Sequence, residues 1–161
     1  MAKVELKQPV VDEISAALDG AKGVVLVDHR GLTVEQDTAL RRNLRNAGIL
    51  YKVFKNTLVK RAIKDTPFSS LESYLEGPSA IAVSKEDATA PARVICDFAK
   101  TNDKLEVKAG VVEGTCYDAA GVQVIATIPS REVLISKFLG SIQSPIANFA
   151  RVVNQIAEKQ A

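Results

Sequence analysis

Eight basic side chains, Arg41, Arg42, Arg45, Lys52, Lys55, Lys60, Arg61 and Lys64, stand between Thr38 and Lys64 with no acidic residue among them, in a chain whose net charge is only +2. A block of this kind has no ion-pair partner within itself, so its cations must face solvent, distant carboxylates or phosphates. Guanidinium forks suit bidentate contacts to phosphate and ammonium groups act as point charges, which makes nucleic acid the partner class to test first. The competing reading is a solvated face that serves only solubility, and the missing acids weaken it. Other reactive groups are sparse. His29, beside Asp28, could suggest acid/base work or a metal ligand, but it is the only histidine and no cysteine lies near it in sequence, so it reads as a turn residue. Cys96 lies among Val94, Ile95 and Phe98 as a small core side chain would, and neither it nor Cys116 belongs to a Cys-x-x-Cys pair. The chain has no Gly-x-x-x-x-Gly-Lys-Ser/Thr loop, no Gly-x-Gly-x-x-Gly and no Gly-x-Ser-x-Gly. Only a spatial pair of carboxylates stays open as an enzymatic device, and nothing asks for catalysis, a cofactor or a metal.

A second pattern lies at the far end. Ile135, Leu139, Ile142, Ile146, Phe149, Val153 and Ile156 follow a 4-3-4-3-4-3 spacing, and Phe138 and Val152 widen the stripe on one side. That is a coiled-coil-like seam. Between Val133 and Ala157 only Lys137 and Arg151 are charged, so Ser, Gln and Asn make up the opposite face. Gly140 and the Ser144-Pro145 step interrupt the pattern, which predicts two helical pieces or one kinked helix. Packing onto the rest of the chain, a homodimeric coiled coil and a foreign partner are the three ways to cover such a seam.

The elements that must carry these residues alternate. Pro9, Val10, Ile14 and Leu18 predict a helix to about Asp19, with Gly20 as its stop, and Val24-Val25-Leu26-Val27 predicts a buried strand before the His29-Arg30-Gly31 turn. Thr33 and Gln36 have the form of a capping box for a helix bearing Val34, Leu40 and Leu44 and ending at Gly48. A half-buried strand over Ile49 to Phe54 follows, then a helix from Thr57 to Lys64 capped by Asn56, with Leu58, Ala62 and Ile63 inward. Phe68, Leu71, Tyr74 and Leu75 suggest a short helix, Ala80 to Val83 a third strand, Pro91 to Ala99 a helix, Leu105 to Val112 a fourth strand, and Asp118 to Thr127 a helix. Four strands with helices between them and no hairpin signal predict an α/β sandwich over residues 1–130, followed by a helical extension over 131–161. On this plan the basic block forms one side of the domain.

With 161 residues, 47% apolar and 25% charged, the chain is long enough to bury an ordinary core. The first residues alternate charged and apolar side chains instead of forming a signal peptide, and no run of ~20 apolar residues follows, which predicts a cytoplasmic protein with no membrane contact. Residues 1–65 hold twelve Lys/Arg against eight Asp/Glu and residues 66–161 nine against eleven, so the halves are suited to different partners.

Asp28-His29-Arg30-Gly31-Leu32-Thr33, Lys55-Asn56-Thr57-Leu58 with Arg61-Ala62, Gly77-Pro78-Ser79-Ala80, and Ile128-Pro129-Ser130-Arg131-Glu132 with Leu134 and Gly140 occur in this order. In these motifs the chain resembles the family of the bacterial large-subunit ribosomal protein numbered ten, the base of the ribosomal stalk. His29 departs from the family's Tyr at that place. The resemblance implies a ferredoxin-like N-terminal domain (α+β) that holds large-subunit ribosomal RNA beside the stalk-base protein numbered eleven. It also implies a C-terminal helix that binds dimers of the acidic stalk protein numbered seven/twelve, two of them at this helix length, through which translational GTPases are recruited. Carried over residue by residue, the RNA surface comprises Arg30, Lys55, Asn56, Thr57, Lys60 and Arg61, to which charge alone adds Lys7, Arg41, Arg45, Lys52 and Lys64. The seam residues named above would hold the stalk dimers. A nucleic-acid-binding regulator acting on its own messenger or on DNA, with a dimerising tail, would use the same two surfaces.

Overall fold

The structure, a computed structural model, describes residues 8–64, 66–102 and 104–160. Its elements are α1 (Gln8–Leu18), β1 (Gly23–Asp28), α2 (Val34–Asn46), β2 (Leu50–Val53), α3 (Asn56–Ile63), a 3-10 helix (Pro67–Tyr74), β3 (Ala80–Ser84), α4 (Ala90–Ala99), β4 (Glu106–Val112), β5 (Thr115–Asp118), α5 (Ala119–Ala126) and α6 (Arg131–Gln160). The chain divides into two compact units between Ile128 and Pro129.

In the first unit the strands form one antiparallel sheet in the order β2-β3-β1-β4-β5. The order 2-3-1-4 with helical crossovers is the ferredoxin-like arrangement, extended by β5 on the β4 edge. Helices cover both faces, which explains why β1 reads as an unbroken apolar run instead of alternating. Its Val25 and Val27 join Leu40 and Leu44 of α2, Ile95 of α4 and Val122 of α5. Its Val24 and Leu26 join Ile14 of α1, Val59 and Ile63 of α3, and Phe68 and Leu71 of the 3-10 helix.

The fifth strand corrects the four-strand expectation. Glu113 and Gly114 both take positive φ (50° and 83°), and Thr115 pairs with Val112, giving the two-residue hairpin turn that suits the twist of antiparallel strands. Glu in place of Asn or Asp at the first turn position hides the signal. The helix expected from Asp118 begins at Ala119, because Asp118 ends β5.

Local signals at the other ends are mixed. The capping box of α2 is present, with Thr33 Oγ1 accepting from the Gln36 N–H at 3.3 Å and Gln36 Oε1 accepting from the Thr33 N–H at 3.0 Å. Val34, expected on the inner stripe, is exposed in the first turn. Helix α3 starts one residue earlier than expected: Lys55, not Asn56, occupies the cap, without a side-chain hydrogen bond. The i, i+3, i+4 face that meets the sheet is therefore Val59, Ala62 and Ile63, and Leu58 is only half-buried. The three-residue spacing of Phe68, Leu71 and Tyr74 is realised as a 3-10 helix. Cys96 is buried and Cys116 half-buried, both as free thiols.

The second unit is one continuous 30-residue helix, α6, about 45 Å long at 1.5 Å per residue. Pro145 lies inside it, so the two-piece expectation is not met. Proline removes only one intrahelical donor, and residues with helical propensity on both sides continue the helix past it. No helix among the described residues is long and apolar enough to cross a membrane.

Candidate nucleic-acid interface and C-terminal seam

Strand pairing brings the distant motifs to one end of the sheet. Val27 pairs with Ala80, Ala80 with Val53, and Asp28 with Glu106, so the turn after β1, the start of α3 and the loop before β3 are neighbours. Gly77, at φ 67°, turns that loop, and the Arg30 guanidinium lies 3.6 Å from where a Cβ on Gly77 would be. Asn56 Nδ2 donates to the carbonyls of Gly77 (2.6 Å) and Leu75 (3.3 Å). Its amide is thus spent on the fold, and of the Asn56 side chain only the oxygen is left for a ligand. Between Val53, Phe54, Lys55, Thr57 and Pro78 an open groove of about 360 Å³ runs beside the start of α3. Lys55 and Thr57 are exposed there, and the first-turn N–H groups of α3 have no side-chain cap.

Lys108 is not legible in the sequence. It sits on β4 two residues after Glu106, the acid that the sequence offers as its neighbour, yet its Nζ donates to the carbonyls of Glu76 (2.8 Å) and Pro78 (2.7 Å) and lies 3.4 Å from both Ser79 Oγ and Asp28 Oδ2. The carbonyl partners are about thirty residues away, so only the folded sheet reveals them. His29, half-buried in the neighbouring turn, has no hydrogen-bond partner at Nδ1. No group of three or more His, Cys, Asp or Glu that could hold a metal ion exists among the described residues.

The basic block does not form one side of the domain. Helix α2 covers the sheet face shared with α4 and α5, whereas α3 covers the opposite face with α1. Because α2 and α3 lie on opposite faces and β2 between them is an edge strand, the block wraps that edge as a rim. Three of its cations find carboxylates beyond the block. Arg41 Nε meets Asp37 Oδ2 at 2.8 Å and lies 5.2 Å from the centre of the Tyr51 ring, Lys52 pairs with Glu13 of α1, and Lys60 lies 4.0 Å from Glu72. Burial, reinforced by Asp37 and opposed by Arg41, pushes the Tyr51 phenol up to about 12. Arg30, Arg42, Arg45, Arg61 and Lys64 are exposed. Lys7 lies outside the described residues.

On α6 the entire seam is uncovered. Ile135, Phe138, Leu139, Ile142, Ile146, Phe149, Val152, Val153 and Ile156 are between 47% and 74% exposed. Polar side chains elsewhere on the helix bond along it, Asn148 Nδ2 to Ser144 Oγ at 3.4 Å and Arg151 to Asn148 Oδ1 at 3.5 Å. Isolated exposed apolar residues are ordinary, whereas nine along one seam form a continuous apolar stripe.

Comparison with known proteins agrees with the motif order. A family model described as "Ribosomal protein L10" matches residues 2–100, and one described as "Ribosomal protein uL10 C-terminal region" matches residues 128–161. The chain is 47% identical to the "Large ribosomal subunit protein uL10" of Macrococcus caseolyticus (strain JCSC5402), over 98% of this chain and 91% of that protein. It is 46% identical to the protein of the same name from Clostridium acetobutylicum, over 97% and 93% of the two chains. The counterpart in Bacillus cereus (strain B4264) is 47% identical over 99% and 97%.

Proposed function

The chain belongs to the ribosomal protein L10 family, whose members are structural proteins of the large ribosomal subunit and not enzymes, and on that premise we propose that it joins ribosomal RNA to the acidic stalk proteins. Residues 1–130 bind large-subunit ribosomal RNA beside the stalk-base protein numbered eleven, and residues 131–161 carry dimers of the acidic stalk protein numbered seven/twelve. The protein works in the cytoplasm, bound to the ribosome. The observation that supports this most is the pairing, on one chain, of a basic rim around β2 with a fully uncovered apolar seam on α6.

At the RNA end Arg30, Lys55 and Thr57 face solvent near the groove, and Arg61, Lys64 and Arg45 are exposed elsewhere, on α3, at its C-terminal end and on α2. They suit phosphate oxygens of a folded RNA, which proteins read by shape and 2′-hydroxyls more than by groove edges. Arg41, Lys52 and Lys60, already paired with carboxylates, would contribute less.

At the other end each seam side chain offers ~1.5–3 kcal/mol on full burial, enough to repay association only when a partner wraps most of the helix. A helix of about 45 Å has room for two dimers, one on each side of Pro145. Tethered there, the dimers raise the local concentration of translational GTPases, an effect that needs no catalytic group.

Two measurements test the proposal. The full chain should co-sediment with large subunits and form a stable complex with the acidic stalk protein, and truncation after Pro129 should abolish the second while leaving RNA binding. Persistence of the stalk complex in the truncated chain overturns the C-terminal assignment. Homodimerisation of the unaltered chain through α6, with no affinity for the stalk protein, would favour a regulator with a dimerising tail.

A further inference from the structure

Asp28, Arg30, Asn56 and Lys108 act on the same short loop, and their arrangement separates a cation that can reach a ligand from one that cannot. The Lys108 ammonium has three donors. Two are spent on the carbonyls of Glu76 and Pro78 at 2.8 and 2.7 Å, and the third faces Asp28 Oδ2 and Ser79 Oγ, each at 3.4 Å. Its side chain and that of Asp28 are only 20% and 19% exposed, so the pair is sheltered as well as saturated. Asp28 uses its other oxygen, Oδ1, to accept from the backbone N–H of Arg30 at 3.0 Å. Asn56 holds the loop from its other side through the Gly77 carbonyl at 2.6 Å.

Charge completes the picture. Asp28 neutralises Lys108, leaving the Arg30 guanidinium as the uncompensated cation of the three. Its terminal nitrogen lies over Gly77, within 4 Å of a position that Lys108 Nζ also approaches. Of the two cations Arg30 is exposed and Lys108 sheltered, so Arg30 is the one a ligand can reach. The turn held by Asp28 and the loop braced by Lys108 together place Arg30 over Gly77, beside the groove at the start of α3.

We propose that Lys108 is a positioning residue for ribosomal RNA: it braces the Glu76–Ser79 loop and, through Asp28, fixes Arg30 as the group that meets a phosphate, without touching RNA itself. This rests on the RNA-binding reading above. Preorganisation of this kind improves affinity by removing the cost of ordering a long side chain and its loop on binding.

A double-mutant cycle on the full chain tests it, with in-vitro transcribed large-subunit ribosomal RNA as the probe and affinity measured across a salt series. Arg30→Ala should weaken binding about tenfold, the effect of one charge-assisted hydrogen bond to phosphate, and lower the log–log salt slope by the equivalent of about one phosphate. Lys108→Met should cause a similar loss and a similar fall in slope in the unaltered background, and nothing further when combined with Arg30→Ala. Lys108→Arg, which keeps charge and donors, should restore most of the affinity. Additive losses, with the slope of the double variant lowered by the equivalent of two phosphates, would show that Lys108 touches phosphate directly and overturn the inference while leaving RNA binding intact. Failure of the unaltered chain to bind the RNA overturns both. Should Lys108→Met lose its cooperative unfolding transition, Asp28→Ala breaks the link between Lys108 and the Arg30 turn instead; it should weaken RNA binding although it removes a negative charge, and unchanged or tighter binding refutes the inference equally.

Discussion

Replacing Phe149 by Ala separates what α6 contributes to assembly from what it contributes to folding. Phe149 is 73% exposed, so its truncation removes almost no packing within the chain, and Ala is the better helix former. Full burial of an aromatic side chain is worth ~3 kcal/mol, and the exposed three-quarters that a partner could cover is worth about 2 kcal/mol. That corresponds to a loss of about thirtyfold in affinity. Because Phe149 follows Pro145, the loss should fall on one dimer of the acidic stalk protein and spare the dimer seated on Ile135 to Ile142. Titration calorimetry of the full chain with the stalk protein should then show one of two equivalents weakened, while urea unfolding of the N-terminal unit is unchanged. The control is Leu40→Ala, fully buried on the inner face of α2, which should cost ~2–5 kcal/mol of stability and leave stalk affinity unaltered. An affinity within twofold of the original for Phe149→Ala, or a loss matched by the control, would refute the docking of stalk protein on the seam.

Three more outcomes follow from the N-terminal unit. Gly23→Ala should destabilise it by ~1–3 kcal/mol or more in urea unfolding, since the new Cβ would sit 2.2 Å from the Ala88 carbonyl oxygen, a clash with backbone that cannot swing aside. Spectrophotometric titration should find one tyrosine ionising near pH 12. The raised folded-state value means that Tyr51 contributes stability present below pH 10 and lost as pH climbs from 10 to 12, and Arg41→Ala, by removing the cation that opposes the shift, should drive the phenol higher still. RNA affinity should fall with log salt at a slope of about 0.7–0.9 per phosphate contacted, and Arg61→Ala should flatten it by the equivalent of roughly one phosphate; an unchanged slope would remove Arg61 from the interface.

Features set by near neighbours in the chain are readable from the residues alone. Thr33 and Gln36 announce their capping box within four residues, the run Val24 to Val27 announces a doubly covered strand, and the seam of α6 is a matter of spacing. Features set by pairing across the sheet are not. Asn56 reads as a cap because Asn often is one, but its amide is drawn to a loop twenty-one residues on. Nothing in the run Leu105 to Val112 marks Lys108, and its three kinds of partner exist only once β1, β3 and β4 are side by side. The basic block reads as one surface because helical patterns carry no information about which sheet face each helix will cover. Pro145 shows the opposite error, a strong local signal overridden by the helix around it.

The edge strand β2 gives the rim of positive charge another consequence. An open strand edge offers unpaired backbone groups to any other extended chain, and the four residues of β2 include Leu50 and Val53, both substantially exposed. Lys52 stands between them, and the cations of α2 and α3 flank the strand on either side. Two copies meeting edge to edge would bring two such rims together, and their mutual repulsion opposes the pairing on which aggregation depends. A polyanion is attracted to the same rim.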